Sequence, residues 1–205
     1  MENINGFIDI HNHILPGIDD GSPNIEETEQ MLRVAANEGI GVMVATPHYD
    51  MDRNHQNKDQ ILELTAQVQE LAEKIQPGMK IYSGAEVLYD VGILEDIKAG
   101  LIPCIGAGNY ILLECYPDIR YNILCASVHG VINAGYTPII AHLERYECLI
   151  RTTKRIPELI KMGATMQMNS RSLLGGLMDK RSRICRKMVT SGYVHFLGSD
   201  SHSAT

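Results

Sequence analysis

Short apolar runs alternate along this chain with longer segments in which apolar residues recur every three or four positions. Phe7 to His11 reads as a strand, as do Val42 to Ala45, Ile81 to Ala85, Tyr110 to Cys115, Pro138 to Ala141, Thr165 to Met168 and Val194 to Gly198. Ile25, Met31, Leu32, Ala35 and Ala36 mark an amphipathic helix, with Ser22 as its expected N-cap and Pro23 in its first turn. Ile61, Leu64, Val68, Leu71 and Ile75 mark a longer helix that ends near Pro77-Gly78, and a short one is expected around Gly92 to Lys98. Three later helices, Tyr121 to Ala134, Thr152 to Met162 and Met178 to Ser191, each stop at a glycine. A glycine there accepts the left-handed backbone that closes a last turn. Seven strands alternating with helices predict a parallel α/β architecture, either a closed barrel or an open sheet, in a single domain over residues 1–205.

Composition narrows this picture only a little. The hydrophobic fraction of 44% and charged fraction of 21% are those of an ordinary globular domain. No apolar run approaches the roughly 20 residues of a membrane helix. The start Met1-Glu2-Asn3 does not read as a signal peptide, so no membrane insertion is expected and the cytoplasm is the expected compartment. The five cysteines are widely spaced, contain no CxxC and read as reduced, mostly buried residues. None is followed by the CxxxxxR spacing of a cysteine-based phosphatase loop, which argues against a cysteine nucleophile.

Charge is uneven. Residues 1–144 hold 7 Lys and Arg against 21 Asp and Glu, a net of -14, whereas residues 145–205 hold 11 against 4, a net of +7. Arg145, Arg151, Lys154 and Arg155 would draw a phosphorylated or acidic substrate to one side, although solvated helix faces account for all but Arg145 equally well. No nucleic-acid-binding stripe is present.

The chemistry lies at the strand ends. His11 and His13 sit two apart in the first strand, a spacing that sends both imidazoles to one face, and Asp19 and Asp20 follow a Pro16-Gly17 turn able to fold a carboxylate back. His48, Glu86, Glu114 and His142 close the second to fifth strands, and Asp200 with His202 follows the seventh. The carboxyl ends of parallel strands converge on one rim, where functional groups gather. His11, His13, Asp20, His48, Glu86, Glu114, His142, Asp200 and His202 are therefore the candidate metal ligands. One ion takes about four to six ligands, so nine point to two or three divalent ions. Imidazole and oxygen donors without thiolate suit Mn, Fe or Zn. Asp9, Asn169 and Arg171 are candidates for supporting or phosphate contacts, and His55, His129 and His195 lie away from the strand ends.

DIHNH, ATPH, GAE, AHLERY and GSDSH, in this order, resemble the PHP family (polymerase and histidinol phosphatase). The nearer resemblance is to the bacterial capsule-regulating protein-tyrosine phosphatases of the CpsB and YwqE type, over almost the whole chain. It implies a distorted seven-stranded parallel β/α (TIM-like) barrel of the PHP fold holding divalent ions, usually manganese. The implied substrate is phosphotyrosine on a bacterial tyrosine kinase that regulates capsule and exopolysaccharide synthesis. The same nine ligands carry over residue by residue. The sequence stops at Thr205, three residues after His202, where the resemblance implies a further helix and arginine. A shortened record is the expectation, with the face around Val194 to Leu197 lacking its cover.

Divalent ions in excess of the four carboxylates leave a positive field suited to a phosphomonoester and to an acidified water. Arg145, three residues past His142, is the candidate catalytic arginine, because its planar fork matches two phosphate oxygens. The alternative for it is a surface pair with Glu144 or Glu147. A phenolate leaving group, with a pKa of about 10, needs less proton donation than an alkoxide. Two other functions fit the same residues: a PHP phosphoesterase for a small metabolite such as histidinol phosphate, and a catalytically silent metal-binding regulatory module.

Overall fold

The computed structural model describes residues 6–50, 58–106, 108–176 and 178–205. Its strands are β1 (Phe7–Asn12), β2 (Ile40–Ala45), β3 (His48–Tyr49), β4 (Lys80–Ser83), β5 (Glu86–Leu88), β6 (Tyr110–Glu114), β7 (Thr137–Ile140), β8 (Thr165–Asn169) and β9 (Phe196–Gly198). They form two sheets, in the orders β1-β2-β4 and β3-β5-β6-β7-β8-β9, and every pairing is parallel.

Where seven strands in one barrel are expected, the described residues hold nine strands in two sheets. Thr46-Pro47 separates β2 from β3, and Gly84-Ala85 separates β4 from β5. Pro47 has no N–H to give a ladder. Hydrogen bonds from Thr46 N to Asn12 O (2.9 Å) and from Glu86 N to Pro47 O (3.0 Å) carry the backbone across these breaks. The strands curl into a half-barrel. Beyond β9 the chain returns to the end of β1, where His13 N donates to Ser201 O (3.0 Å) and Asp200 N donates to His11 O (2.8 Å).

Parallel strands need crossovers, and helices supply most of them here. They are α1 (Ile25–Asn37), α2 (Lys58–Ile75), α3 (Ile93–Lys98), α4 (Tyr121–Asn133), α5 (Glu147–Ile150), α6 (Ile156–Lys161) and α7 (Lys180–Thr190). The N-cap of α1 is Asn24, whose Oδ1 accepts from Glu27 N at 2.9 Å. The expected cap, Ser22, instead uses its hydroxyl on Asn24 O and Thr28 Oγ1, both at 2.8 Å. The helix expected from Thr152 begins as a 3-10 turn over Thr153–Arg155, and α6 follows with Pro157 in its first turn.

Met31 and Leu32 of α1 and Ile61 and Val68 of α2 pack on Met43 and Ile81 of the first sheet. Ile93, Leu124, Val128 and Leu159 pack on Val87, Leu113, Ile140 and Met166 of the second. Burying each such side chain contributes roughly 1.5–3 kcal/mol. Ile10, Val44, Leu112, Ile139 and Ala141 form a third cluster that joins strands of both sheets. These three clusters hold the strand ends in place and so fix the polar residues that follow them.

Candidate metal centre

All nine expected ligands meet in one cluster, with His48 and Glu86 opening β3 and β5 just past the carboxyl ends of β2 and β4. His11 Nε2 lies 3.1 Å from Glu86 Oε2 and 3.4 Å from Asp200 Oδ1, and His13 Nε2 lies 3.3 and 3.5 Å from the same two atoms. His142 Nε2 is 2.9 Å from Glu86 Oε1 and 3.2 Å from Glu114 Oε1. His48 reaches Glu86 Oε2 (3.3 Å) and Asp20 Oδ1 (3.5 Å), and His202 Nε2 reaches Asp20 Oδ1 (3.5 Å). Eight of the nine fall into three overlapping groups whose ligand atoms lie within 4.8 Å of one another. These are His11, His13, Glu86 and Asp200; His13, Asp20, His48 and His202; and His48, Glu86 and Glu114. His142 joins through its contacts to Glu86 and Glu114. The inner residues are buried, while Asp20, His48 and Glu114 line an open cavity of about 580 Å³.

Local backbone features aim these side chains. Pairing of β1 with β2 slips between Asp9 and Asn12, an irregularity of the kind that re-aims side chains. His142 (φ 30) and Asp200 (φ 55) are the two non-glycine residues with positive φ among the described residues, and both belong to the cluster. Such strained conformations gather at functional sites. A Cβ at Gly198 would lie 2.5 Å from His11 Cβ, and one at Gly21 would lie 2.4 Å from His13 Cβ. Only glycine lets the chain approach both histidines so closely.

Three imidazoles are oriented by acceptors on their far nitrogens. His11 Nδ1 donates to Gln167 Oε1 (3.2 Å), His13 Nδ1 to Asp19 Oδ2 (2.8 Å) and His202 Nδ1 to the Asp200 carbonyl (3.0 Å). Each partner atom only accepts, so Nδ1 carries the proton and Nε2 keeps its lone pair for the cluster. Nε2 of both His11 and His13 is buried without a hydrogen-bond partner. An unpartnered buried donor atom among carboxylates is the arrangement a cation would complete. The residues therefore fit divalent ions.

Sequence reasoning left Asp19 unassigned and missed Gln167. Gln167 Oε1 also accepts from His142 N (2.6 Å), and its Nε2 donates to Asn169 Oδ1 (3.0 Å). Asp19 also accepts from His48 N (3.0 Å). Asp9 takes the supporting place expected of it, accepting from His11 N (3.2 Å), Ser199 N (2.9 Å) and Ser199 Oγ (2.7 Å). Asn169 does likewise, donating to Asp200 Oδ2 at 2.7 Å. Arg171 is exposed on the turn after β8. His129 is exposed on α4, His195 accepts from Met166 N (3.1 Å), and His55 lies outside the described residues.

Arg145 is paired neither with Glu144 nor with Glu147. Its Nη2 lies 2.5 Å from Asp200 Oδ2, with the side chain 42% exposed, and it lines a cavity that adjoins the first through Pro117. Arg151 pairs with Glu147 (2.7 Å), and Arg155 lies over the Tyr121 ring (4.6 Å), so both serve the surface around α5 and α6.

Without cations, protons balance the carboxylates. Burial works against a charged His13, but Asp19, Asp200 and Glu86 outweigh it and raise its pKa well above the histidine range. Burial likewise opposes charge on His142, yet Glu114 and Glu86 raise its pKa to about 9. Burial disfavours ionised Glu86 too, and His11, His13 and His142 overcome this and hold its pKa well below the carboxylate range. Asp200 is held low by His13, His11 and Arg145 against both burial and the Glu86 charge. Cys115, beside the cavity, has its thiol pushed up to about 12 by burial, so it is no nucleophile at neutral pH.

Fold and site together define a parallel α/β protein with a histidine–carboxylate cluster built for divalent cations. The family of capsular polysaccharide synthesis proteins, CpsB/CapC, matches residues 7–205, and the chain belongs to it. It is 33% identical over 200 residues to CapC of Staphylococcus aureus, covering 97% of this chain and 78% of that protein. It is 31% identical over 202 residues to the tyrosine-protein phosphatase CpsB of Streptococcus pneumoniae, covering 96% of this chain and 83% of that protein. The crystal structures of YwqE from Bacillus subtilis and CpsB from Streptococcus pneumoniae, unique metal-dependent tyrosine phosphatases, give a match with a TM-score of 0.86. That match has 27% identity and covers 96% of this chain and 80% of the solved one.

Proposed function

We propose that this protein is a metal-dependent phosphomonoesterase that removes phosphate from tyrosine in a protein substrate. The observation that carries the reading is the convergence of nine imidazole and carboxylate side chains, with oriented and unpartnered Nε2 atoms, at one cavity. The phosphatase names of the relatives supply the reaction and the substrate class.

His11, His13, Asp20, His48, Glu86, Glu114, His142, Asp200 and His202 would hold the ions. His13 would offer Nε2, because Asp19 occupies Nδ1, and Glu86 would offer two carboxylate oxygens. Two or three ions, manganese by preference with iron or zinc acceptable to the same donors, would supply positive charge and an acidified water for attack on phosphorus. Arg145 commits one guanidinium nitrogen to Asp200 and keeps others to bind the phosphoryl oxygens and orient the phosphorus. A phenolate with a pKa of about 10 leaves without an obligatory proton donor.

The finer reading is a distorted seven-stranded barrel, counting β2 with β3 and β4 with β5 as single kinked strands. The substrate would be a bacterial tyrosine kinase that controls capsule synthesis, met in the cytoplasm. No helix among the described residues is long and apolar enough to cross a membrane. The test is hydrolysis of a phosphotyrosine peptide and of histidinol phosphate by the same preparation, with manganese and after chelation. Metal-dependent preference for the peptide supports the proposal. Preference for histidinol phosphate assigns a metabolite phosphatase, and inactivity on both with metal bound assigns a silent metal-binding module.

A further inference from the structure

We infer that Tyr116 is a specificity-determining residue that, with Leu88 and Pro117, forms an apolar wall selecting aryl over alkyl phosphomonoesters. This rests on the phosphatase reading above and narrows its substrate class. The cavity of about 580 Å³ has a mixed lining of charged and apolar residues. Asp19, Asp20, His48 and Glu114 line it together with Leu88, Tyr116 and Pro117. Its volume lies within the roughly 300–1,000 Å³ of small-molecule sites, so a phosphate at the charged residues leaves room for the rest of the ester against the apolar ones.

Tyr116 is 62% exposed, so its ring is accessible to a ligand in the cavity it lines. Its backbone is nonetheless fixed. Ile119 N donates to the Tyr116 carbonyl at 3.0 Å, closing a turn with Pro117 at its second position. Glu147 N donates to Pro117 O (3.0 Å), and Tyr146 Oη accepts from Cys115 N (3.0 Å), so both neighbours of Tyr116 are tied to the fold. A rigidly mounted ring loses little freedom when a ligand covers it.

Register places Leu88 level with Glu114, and Tyr116 and Pro117 follow just beyond it. Leu88, two residues after Glu86 in β5, pairs with Glu114 of β6, which stands two residues before Tyr116. The phenyl ring of phosphotyrosine extends the phosphate outward to this level, where an offset or edge-on contact with Tyr116 is favourable. The single methylene of phosphoserine would stop short of it.

Phenylphosphonate and methylphosphonate separate these cases, because a C–P bond is not hydrolysed and binding is read by calorimetry on the metal-loaded protein. The wild type is expected to prefer the phenyl compound. Tyr116→Ala should lower that preference by about 3- to 10-fold, and Tyr116→Phe should keep it. An unchanged preference in Tyr116→Ala, or equal binding of both compounds by the wild type, overturns the role of Tyr116 while phosphotyrosine hydrolysis by the wild type leaves the phosphatase reading standing. Failure of the wild type to bind either phosphonate overturns this inference, whereas failure to hydrolyse a phosphotyrosine peptide with metal bound removes the phosphatase reading beneath it.

Discussion

Gln167 shows how a residue that touches no ion can set a metal site. Its side-chain oxygen is shared by His11 Nδ1 and His142 N, one holding an imidazole and the other the strained turn after β7. Gln167→Ala should lower metal affinity about 10- to 100-fold, read by metal titration, with the fold retained by circular dichroism. Arg145→Lys keeps the charge and loses the fork, and kcat on a phosphotyrosine peptide should fall by about 10²-fold with metal content unchanged. The clustering of these residues was legible because histidine and acidic residues at successive strand ends have few other reasons to recur there. Gln167 was not: an amide in a methionine-rich strand carries no mark of metal chemistry, and its in-phase spacing to Asn169 was the one available sign. Asp19 and Asp20 are adjacent and alike, and only the folded turn shows that Asp19 orients His13 while Asp20 faces His48 and His202.

At the level of elements, β9 is the piece on which the site most depends. Gly198 lies against both His11 and Gln167, where a Cβ would come within 2.5 and 2.8 Å of them. Gly198→Ala must push β9 from β1 and carry Asp200 and His202 with it. The expected outcome is a loss of about 1–3 kcal/mol by chemical denaturation together with a lower metal content. Unchanged metal content in this variant would show that the SDSH segment does not depend on β9 for its position. The order of helices and strands was legible from periodicity and the terminating glycines. The breaks in β2–β3 and β4–β5 were not, since His48 and Glu86 read as the ends of the second and third strands and not as the starts of short strands of their own. The N-cap of α1 also escaped, because Ser22 and Asn24 are both good caps and the choice falls to the partner that Thr28 offers Ser22.

Over the whole molecule, the cluster couples stability to pH and to metal. His142 titrates at about 9 in the metal-free protein against an ordinary 6.5, a raised value. Its stabilising contribution is therefore full below about pH 6.5 and is lost as pH rises through about 9. Metal binding runs the other way, since the same protons must leave before the imidazoles bind. The rise in melting temperature on adding manganese should accordingly be small near pH 6.5 and larger near pH 9, and binding at neutral pH should release protons. At a hundredfold excess over Kd, bound metal stabilises by about 2.7 kcal/mol, so chelation should lower the melting temperature measurably.

The central claim is that these nine side chains hold divalent cations, and anomalous diffraction from manganese-loaded crystals tests it most directly. The account predicts two or three anomalous peaks in the cavity, each within about 2.0–2.6 Å of the nitrogen and oxygen atoms named here. A fully loaded crystal with no peak there, its imidazoles still resting on Glu86 and Asp200, would contradict it.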